Sequence, residues 1–185
     1  QAPSMKYIAT LLGSPSATSR TGHLLHCAES ILQSSGMPTR RLNLRSLPAE
    51  ALIHARTDNA SIAEAVHLVD RARAVIIATP VYNAAYSGLL KVFLDLLPRG
   101  IFLGKPTLGI SVGGTQGHML ALDYTLKPVL AALGSQYQLP GVFASELDMP
   151  KSDGRYSIEA TVTDRLTQAV LSLSRSLEEP AAALA

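Results

Sequence analysis

The sequence predicts a doubly wound α/β domain on a five-stranded parallel sheet of order 2-1-3-4-5. Two observations carry this. Short apolar runs alternate along the chain with longer stretches whose apolar residues recur at helical spacing, the pattern of right-handed βαβ units. The run Ala74-Val75-Ile76-Ile77-Ala78-Thr79 is apolar and β-branched without alternation, as in a strand covered on both faces.

Tyr7 to Leu12 is the first buried strand, and Gly13 to Thr18 the loop after it. Ser19 or Thr21 can cap the next helix, in which Leu24, Leu25, Ala28, Ile31 and Leu32 form one apolar face. Arg40 to Leu44 is a weaker strand. Ile62 to Arg71 is helical, with Ala63, Val66 and Val69 on one side. The third strand, Ala74 to Thr79, leads into a loop over Pro80 to Gly88. Leu89 to Leu97 is a helix ended by Pro98. Thr107 to Val112 is the fourth strand, stopped by Gly113-Gly114. His118 to Leu133 is a helix with Pro128 inside it, which requires a kink or an irregular turn. Gln136 to Phe143 is a broken fifth strand, and Ile158 to Leu177 closes the fold. Residues 5–177 form one domain on this reading. Met5 is the expected native start, with Gln1 to Ser4 a remnant before it, and Glu178 to Ala185 is a tail expected to fray.

Composition narrows the function. Of 185 residues, 47% are hydrophobic, enough for a sizeable core. The net charge is +2 and the basic residues are scattered. Nucleic-acid backbones need clustered Lys and Arg, so nucleic acid is not an expected partner. No apolar run approaches the roughly 20 residues that span a bilayer, and a membrane is not expected either. Cys27 is the one cysteine, so no intrachain disulfide forms, which suits a reducing cytoplasm. Cys27 falls among apolar helix residues and reads as an inert core thiol. His23 and His26 lie three apart on a helix without a third ligand, so no metal site is expected.

Ligands of such sheets bind at the carboxyl ends of the strands. The loop after the first strand, Gly13-Ser14-Pro15-Ser16-Ala17-Thr18-Ser19-Arg20-Thr21, carries five hydroxyls, one Arg and no acid, and leads into a helix N-terminus. Those groups suit a phosphate monoester. A Ser/Thr-rich turn that only caps the helix has the same composition. The loop lacks the Gly-Lys-Ser/Thr end of a Walker A sequence, the Gly-x-Gly-x-x-Gly of a dinucleotide site and the cysteine of a small tyrosine phosphatase. After the third strand, Pro80-Val81-Tyr82-Asn83 with Tyr86 offers rigid backbone and aromatic faces, fit to wall a flat heteroaromatic ring or simply to pack the loop. A receiver domain would carry Asp where Thr79-Pro80 stands. After the fourth strand, Gly113-Gly114-Thr115 lets backbone approach a ligand closely, or is a plain turn. No Gly-x-Ser-x-Gly elbow supports a hydrolase.

Taken in order, Gly13-Ser14-Pro15, Ser19-Arg20-Thr21, Thr79-Pro80-Val81-Tyr82-Asn83, Ser87-Gly88-Leu89-Leu90-Lys91 with Asp95, and Gly113-Gly114-Thr115 make the chain resemble the NADPH-dependent FMN reductases of the flavodoxin-like superfamily. The segment Leu122 to Leu130 is similar to the branch serving two-component alkanesulfonate monooxygenases. The likeness spans most of Lys6 to Phe143. It implies a flavodoxin-like three-layer αβα sandwich with FMN and NADPH or NADH as cofactors. Ser14, Ser19, Arg20 and Thr21 would hold the FMN phosphate. Pro80, Val81, Tyr82 and Asn83 would flank the isoalloxazine, and Gly113, Gly114 and Thr115 would meet its other edge. Tyr124 would sit in a π-type bulge on the helix that packs subunits into a homo-oligomer, dimer or tetramer. Ser16-Ala17-Thr18 departs from the family, many members carrying a basic residue there. The implied activity is hydride transfer from nicotinamide C4 to flavin N5, with no protein proton donor, and delivery of reduced FMN to a flavin-dependent monooxygenase in sulfonate sulfur assimilation. Three other readings fit the same residues: an FMN-retaining quinone, azo or metal-oxyanion reductase, a flavodoxin-type electron carrier, and a non-enzymatic nucleotide-binding protein.

Overall fold

The computed structural model describes residues 6–178. The remnant expected at residues 1–4 and nearly all of the tail expected to fray lie outside them. Strand β1 (Ile8–Leu12) leads to helix α1 (Arg20–Ser34), then β2 (Thr39–Asn43), the short α2 (Ala49–Ile53), α3 (Ala60–Asp70) and the long β3 (Ala74–Tyr82). Then come β4 (Ala85–Tyr86), α4 (Gly88–Leu94), β5 (Thr107–Gly113), α5 (Lys127–Ala132), β6 (Val142–Ser145), the small hairpin of β7 (Lys151–Ser152) and β8 (Arg155–Tyr156), and α6 (Ala160–Ser176). The sheet order is β2-β1-β3-β5-β6, all parallel, with β4 antiparallel to the end of β3. Counted over the five parallel strands this is 2-1-3-4-5, as the sequence predicts.

The two faces of β3 explain its unbroken apolar run. Val75 and Ile77 face a core completed by Ile62 and Val69 of α3 and Leu90 and Phe93 of α4. Ala74, Ile76 and Ala78 face the opposite core, completed by Leu24, Leu25 and Leu32 of α1 and Val162, Leu166 and Val170 of α6. All of these side chains are buried. At about 25 cal/mol per Å² of apolar surface removed from water, burial on both faces is the main force fixing the register of the central strand.

Helix starts follow local chemistry. Ser19, not Thr21, caps α1, its Oγ accepting from the Gly22 N–H at 3.0 Å. Asn59 caps α3 through Oδ1, and Ser87 caps α4 through Oγ. These contacts satisfy N–H groups that a first helical turn leaves without partners.

Four expectations need correction. The loop read over Pro80 to Gly88 is a β-hairpin: β3 continues through Pro80 to Tyr82 and pairs back with β4. Its two-residue turn, Asn83-Ala84, has φ of 48° and 63°, the doubly positive geometry that matches strand twist. The helix read over Leu89 to Leu97 stops at Leu94, where it tightens into three-residue turns: the Leu96 N–H donates to the Phe93 carbonyl and the Leu97 N–H to the Leu94 carbonyl. The long helix from His118 is broken into a 3₁₀ turn (Gln116–His118), a π-helix (Leu122–Leu126) and α5. Pro128 stands in the first turn of α5, where its missing N–H costs least. The fifth strand is Val142–Ser145, preceded only by an isolated Thr107–Gln138 bridge, since Pro140-Gly141 interrupts the ladder.

Candidate active site

The carboxyl ends of β1, β3 and β5 meet where the strand order reverses, and a buried polar joint holds them. The Gly13 N–H donates to the Ala78 carbonyl at 2.8 Å. Ser87 Oγ donates to the Gly13 carbonyl at 2.6 Å and accepts from the Leu90 N–H at 3.1 Å. The Ser87 N–H donates to Thr79 Oγ1 at 3.0 Å, and that hydroxyl donates to the Pro80 carbonyl at 2.8 Å. A side chain at Gly13 would not fit, since its Cβ would stand 3.0 Å from Leu90 Cβ and 3.2 Å from the Ala78 carbonyl. The loop after β1 is thus pinned at its root, and Arg45 Nε holds it from the β2 side through the Pro15 carbonyl at 3.1 Å.

Above this joint lies a cleft of about 200 Å³. Its first wall is the hydroxyl-rich loop: Ser14, Ser16, Thr18, Ser19, Arg20 and Thr21 all line it. Ser14 and Thr21 are buried, and Ser14 Oγ accepts from the Ser16 N–H at 3.3 Å. The second wall is Pro80, Val81 and Tyr82, with the Tyr82 ring half exposed. The third is Val112, Gly113 and Gly114. A Cβ on Gly113 would come within 2.9 Å of the Phe143 ring, whereas one on Gly114 would meet nothing within 4 Å. Gly113 is therefore demanded by packing, and Gly114 keeps the wall low.

Asn83, Thr115 and Tyr86, named from the sequence as candidates for the ring, do not line this cleft, and neither does Tyr124, which the sequence places at a subunit contact. Asn83 stands in the turn after Tyr82 in left-handed conformation. The Thr115 N–H donates to His118 Nδ1 at 3.3 Å, one half of a capping box over Gln116–His118. Tyr124 lies in the π-helix with its side chain 76% exposed. Tyr86 is half-buried against the core. Cys27 is not enclosed in the core but half-buried at its edge, and burial pushes its thiol pKa up, away from a reactive thiolate.

Two cleft residues escape the sequence reading, Glu146 and Tyr156. Arg20 binds both. Its NH1 is 3.5 Å from Glu146 Oε2, its Nε donates to the Met149 carbonyl at 2.9 Å, and its guanidinium lies 5.2 Å from the Tyr156 ring centroid. Tyr156 ends the β7–β8 hairpin, whose turn is Asp153-Gly154, both at positive φ. That Asp-Gly pair is a strong hairpin signal in sequence and would have located the hairpin, though not its contact with Arg20. Asp148 ties the end of β6 to the turn after β5. It accepts from the Ser145 N–H at 2.7 Å, Ser145 Oγ at 2.8 Å and Gln116 Nε2 at 3.2 Å. The backbone bond from Ser145 is the main cause holding its carboxyl below the usual range.

The donor set suits a phosphate monoester carrying a flat ring. Hydroxyls, one guanidinium and the N-terminus of a 15-residue helix converge at one end, and a tyrosine with glycine backbone frames the other. Residues 6–149 match the family described as NADPH-dependent FMN reductase. The chain belongs to that family. An FMN reductase (NADPH) of Pseudomonas putida is 43% identical over 147 residues, 80% of this chain and 75% of the relative. The FMN reductase (NADPH) of Escherichia coli is 44% identical over 139 residues, 75% and 73% respectively. Among solved structures, the apo form of the NADH:FMN oxidoreductase EMOB superposes with a TM-score of 0.84 at 34% identity, over 96% of this chain and 92% of that one. Tyr156 lies beyond the residues matched to the FMN reductase family, and Glu146 lies close to their end.

Proposed function

We propose that this chain, through one domain over residues 5–177, is an NAD(P)H-dependent FMN reductase that treats FMN as a substrate and releases it reduced. The cleft carries the reading: the hydroxyl-rich loop, the Pro80–Tyr82 wall and the Gly113–Gly114 wall converge on one site at the strand-order reversal.

Ser14, Ser19, Arg20 and Thr21 would hold the phosphate, through hydroxyls, helix N–H groups and a charge-assisted contact. Pro80, Val81 and Tyr82 would flank the ring, with Val81 and Tyr82 presenting the apolar wall, and Asn83 would support them from the turn that follows. Gly113 and Gly114 would meet the other edge, where Gly114 lets backbone approach, and Thr115 would shape the turn behind them. Bound FMN supplies the hydride-accepting chemistry, and the protein supplies position and electrostatics. The residues named here serve to bind and orient the flavin. One relative is named for NADPH and one structural neighbour for NADH, and either nucleotide fits this reading as the hydride donor.

The physiological acceptor in this reading is a flavin-dependent monooxygenase, with sulfonate sulfur assimilation in the cytoplasm as its setting. The working unit is a homo-oligomer, dimer or tetramer, joined through the face that carries Tyr124. No described helix is long and apolar enough to cross a membrane.

Anaerobic titration with NADPH, first with equimolar and then with excess FMN, tests the activity by flavin absorbance. Catalytic bleaching of the excess makes FMN a substrate. Bleaching of one equivalent alone makes it a retained cofactor and favours a quinone, azo or metal-oxyanion acceptor, or a carrier.

A further inference from the structure

The cleft wall holds one cation, Arg20, and one acid, Glu146, among the described residues, and the two are paired. The phosphate-loop residues Ser16-Ala17-Thr18 add no second cation. A dianionic phosphate placed in this cleft must share the one guanidinium lining it with a carboxylate already beside that guanidinium, since Arg45 reaches the loop only from the β2 side, at the Pro15 carbonyl. Glu146 is held there by backbone, because its N–H donates to the Gly113 carbonyl at 2.9 Å. Arg20 cannot simply swing away with a ligand, since its Nε is bound to the Met149 carbonyl and its face rests on Tyr156.

We infer that Glu146 competes with the FMN phosphate for Arg20 and so keeps flavin affinity low enough for reduced flavin to leave. This rests on the FMN-reductase reading and adds a residue that sets how tightly the site holds its substrate. Glu146 is a positioning and affinity-setting residue; it takes no part in hydride transfer. Two effects act in the same direction. The carboxylate, 3.5 Å from one terminal nitrogen of Arg20, offsets part of its positive charge, and it repels the incoming phosphate. Its side chain is 56% exposed, so water screens the repulsion and the effect is moderate. A moderate effect lowers affinity without abolishing binding.

The test is Glu146→Gln, with FMN and riboflavin titrated into wild type and variant by flavin fluorescence. Riboflavin has the same ring and no phosphate. The expected result is FMN binding tighter by roughly fivefold in the variant, the scale of a partly exposed charge contact, with riboflavin unchanged. KM for FMN falls in the same proportion. A purely structural role would shift both flavins together. Equal shifts, or an FMN affinity that stays constant or weakens, overturn the inference. Glu146→Ala, which also removes the side-chain amide as a possible partner of Arg20, must move FMN in the same direction, and if it does not the inference fails. Wild-type affinity reports separately on the functional reading: no FMN binding by the wild type overturns that reading and this inference with it.

Discussion

Ala84 holds a φ of 63° in the β3–β4 turn, a conformation that costs a residue with a Cβ about 1 kcal/mol. Asn83 beside it tolerates the same region through its short polar side chain. The turn keeps Val81 and Tyr82 on a strand rather than on a free loop, so the strain supports a wall of the cleft. Ala84→Gly removes the clash and loosens the unfolded chain, two opposed effects. The expected net gain is about 0.5 kcal/mol, a rise in Tm of about 1–2 °C, read by calorimetry. A lower Tm would show that the turn is not strained as its φ values imply.

At the scale of elements, Ser87 joins the end of β1 to α4 through its hydroxyl and reaches β3 through its backbone N–H, which donates to Thr79 Oγ1. It caps α4 and holds the Gly13 carbonyl. Ser87→Ala leaves two buried backbone groups without that partner. The expected cost is about 2 kcal/mol, seen as a lower urea midpoint with unchanged slope. The hydroxyl-rich loop is rooted at Gly13, so under the proposed function FMN affinity should weaken in the same variant. A stability loss under about 0.5 kcal/mol would mean that the joint is not what sets the loop. The π-helix is a second case of an element placed for its outward side. Leu122 and Leu126 turn into the core while Tyr124 stays exposed. The five-residue π stretch passes these positions to opposite sides without breaking the packing on β5.

For the whole molecule, Met119, Leu120 and Tyr124 present large apolar surface on one segment, more than scattered exposed residues explain. An oligomer joined through this face predicts that Tyr124→Asp lowers the sedimentation coefficient at micromolar concentration. Sedimentation of the wild type as a monomer alone would remove the oligomer from the functional reading. Acid stability belongs to this scale too. The Asp148 carboxyl is held below the usual range in the folded chain, chiefly by the Ser145 N–H. Folding therefore favours its charged form. That contribution is full above the ordinary carboxylate pKa and is lost as pH falls through the lowered folded value. Asp148 is partly exposed, so less than about 1 kcal/mol is at stake. Urea midpoints taken from neutral pH down to about pH 3 should fall less steeply for Asp148→Asn than for wild type. Parallel curves would mean that Asp148 carries no pH-linked stability.

Local patterns in the sequence determined the five parallel strands, the two-faced burial of β3, a helix cap at Ser19 or Thr21, and the hydroxyl-rich loop with its single Arg. They are legible because propensity, capping and period-two or period-3.6 patterning act over a few residues. The quoted motifs carried the family and the expectation of a π-turn at Tyr124. The hairpin at Pro80 is not legible in the apolar run that marks β3, because the pairing that extends the strand to Tyr82 comes from the turn beyond it. The company of Arg20 was not legible at all. Met149, whose carbonyl Arg20 binds, is 129 positions away in the chain, and Glu146 and Tyr156 come from the same distant region. They reach Arg20 only because β5 and β6 pair with Gly113 opposite Ser145 and a small hairpin folds back over α1. Sheet register and the path of the chain beyond β6 decide such contacts, and both are settled by burial over the whole molecule rather than by any local run of residues.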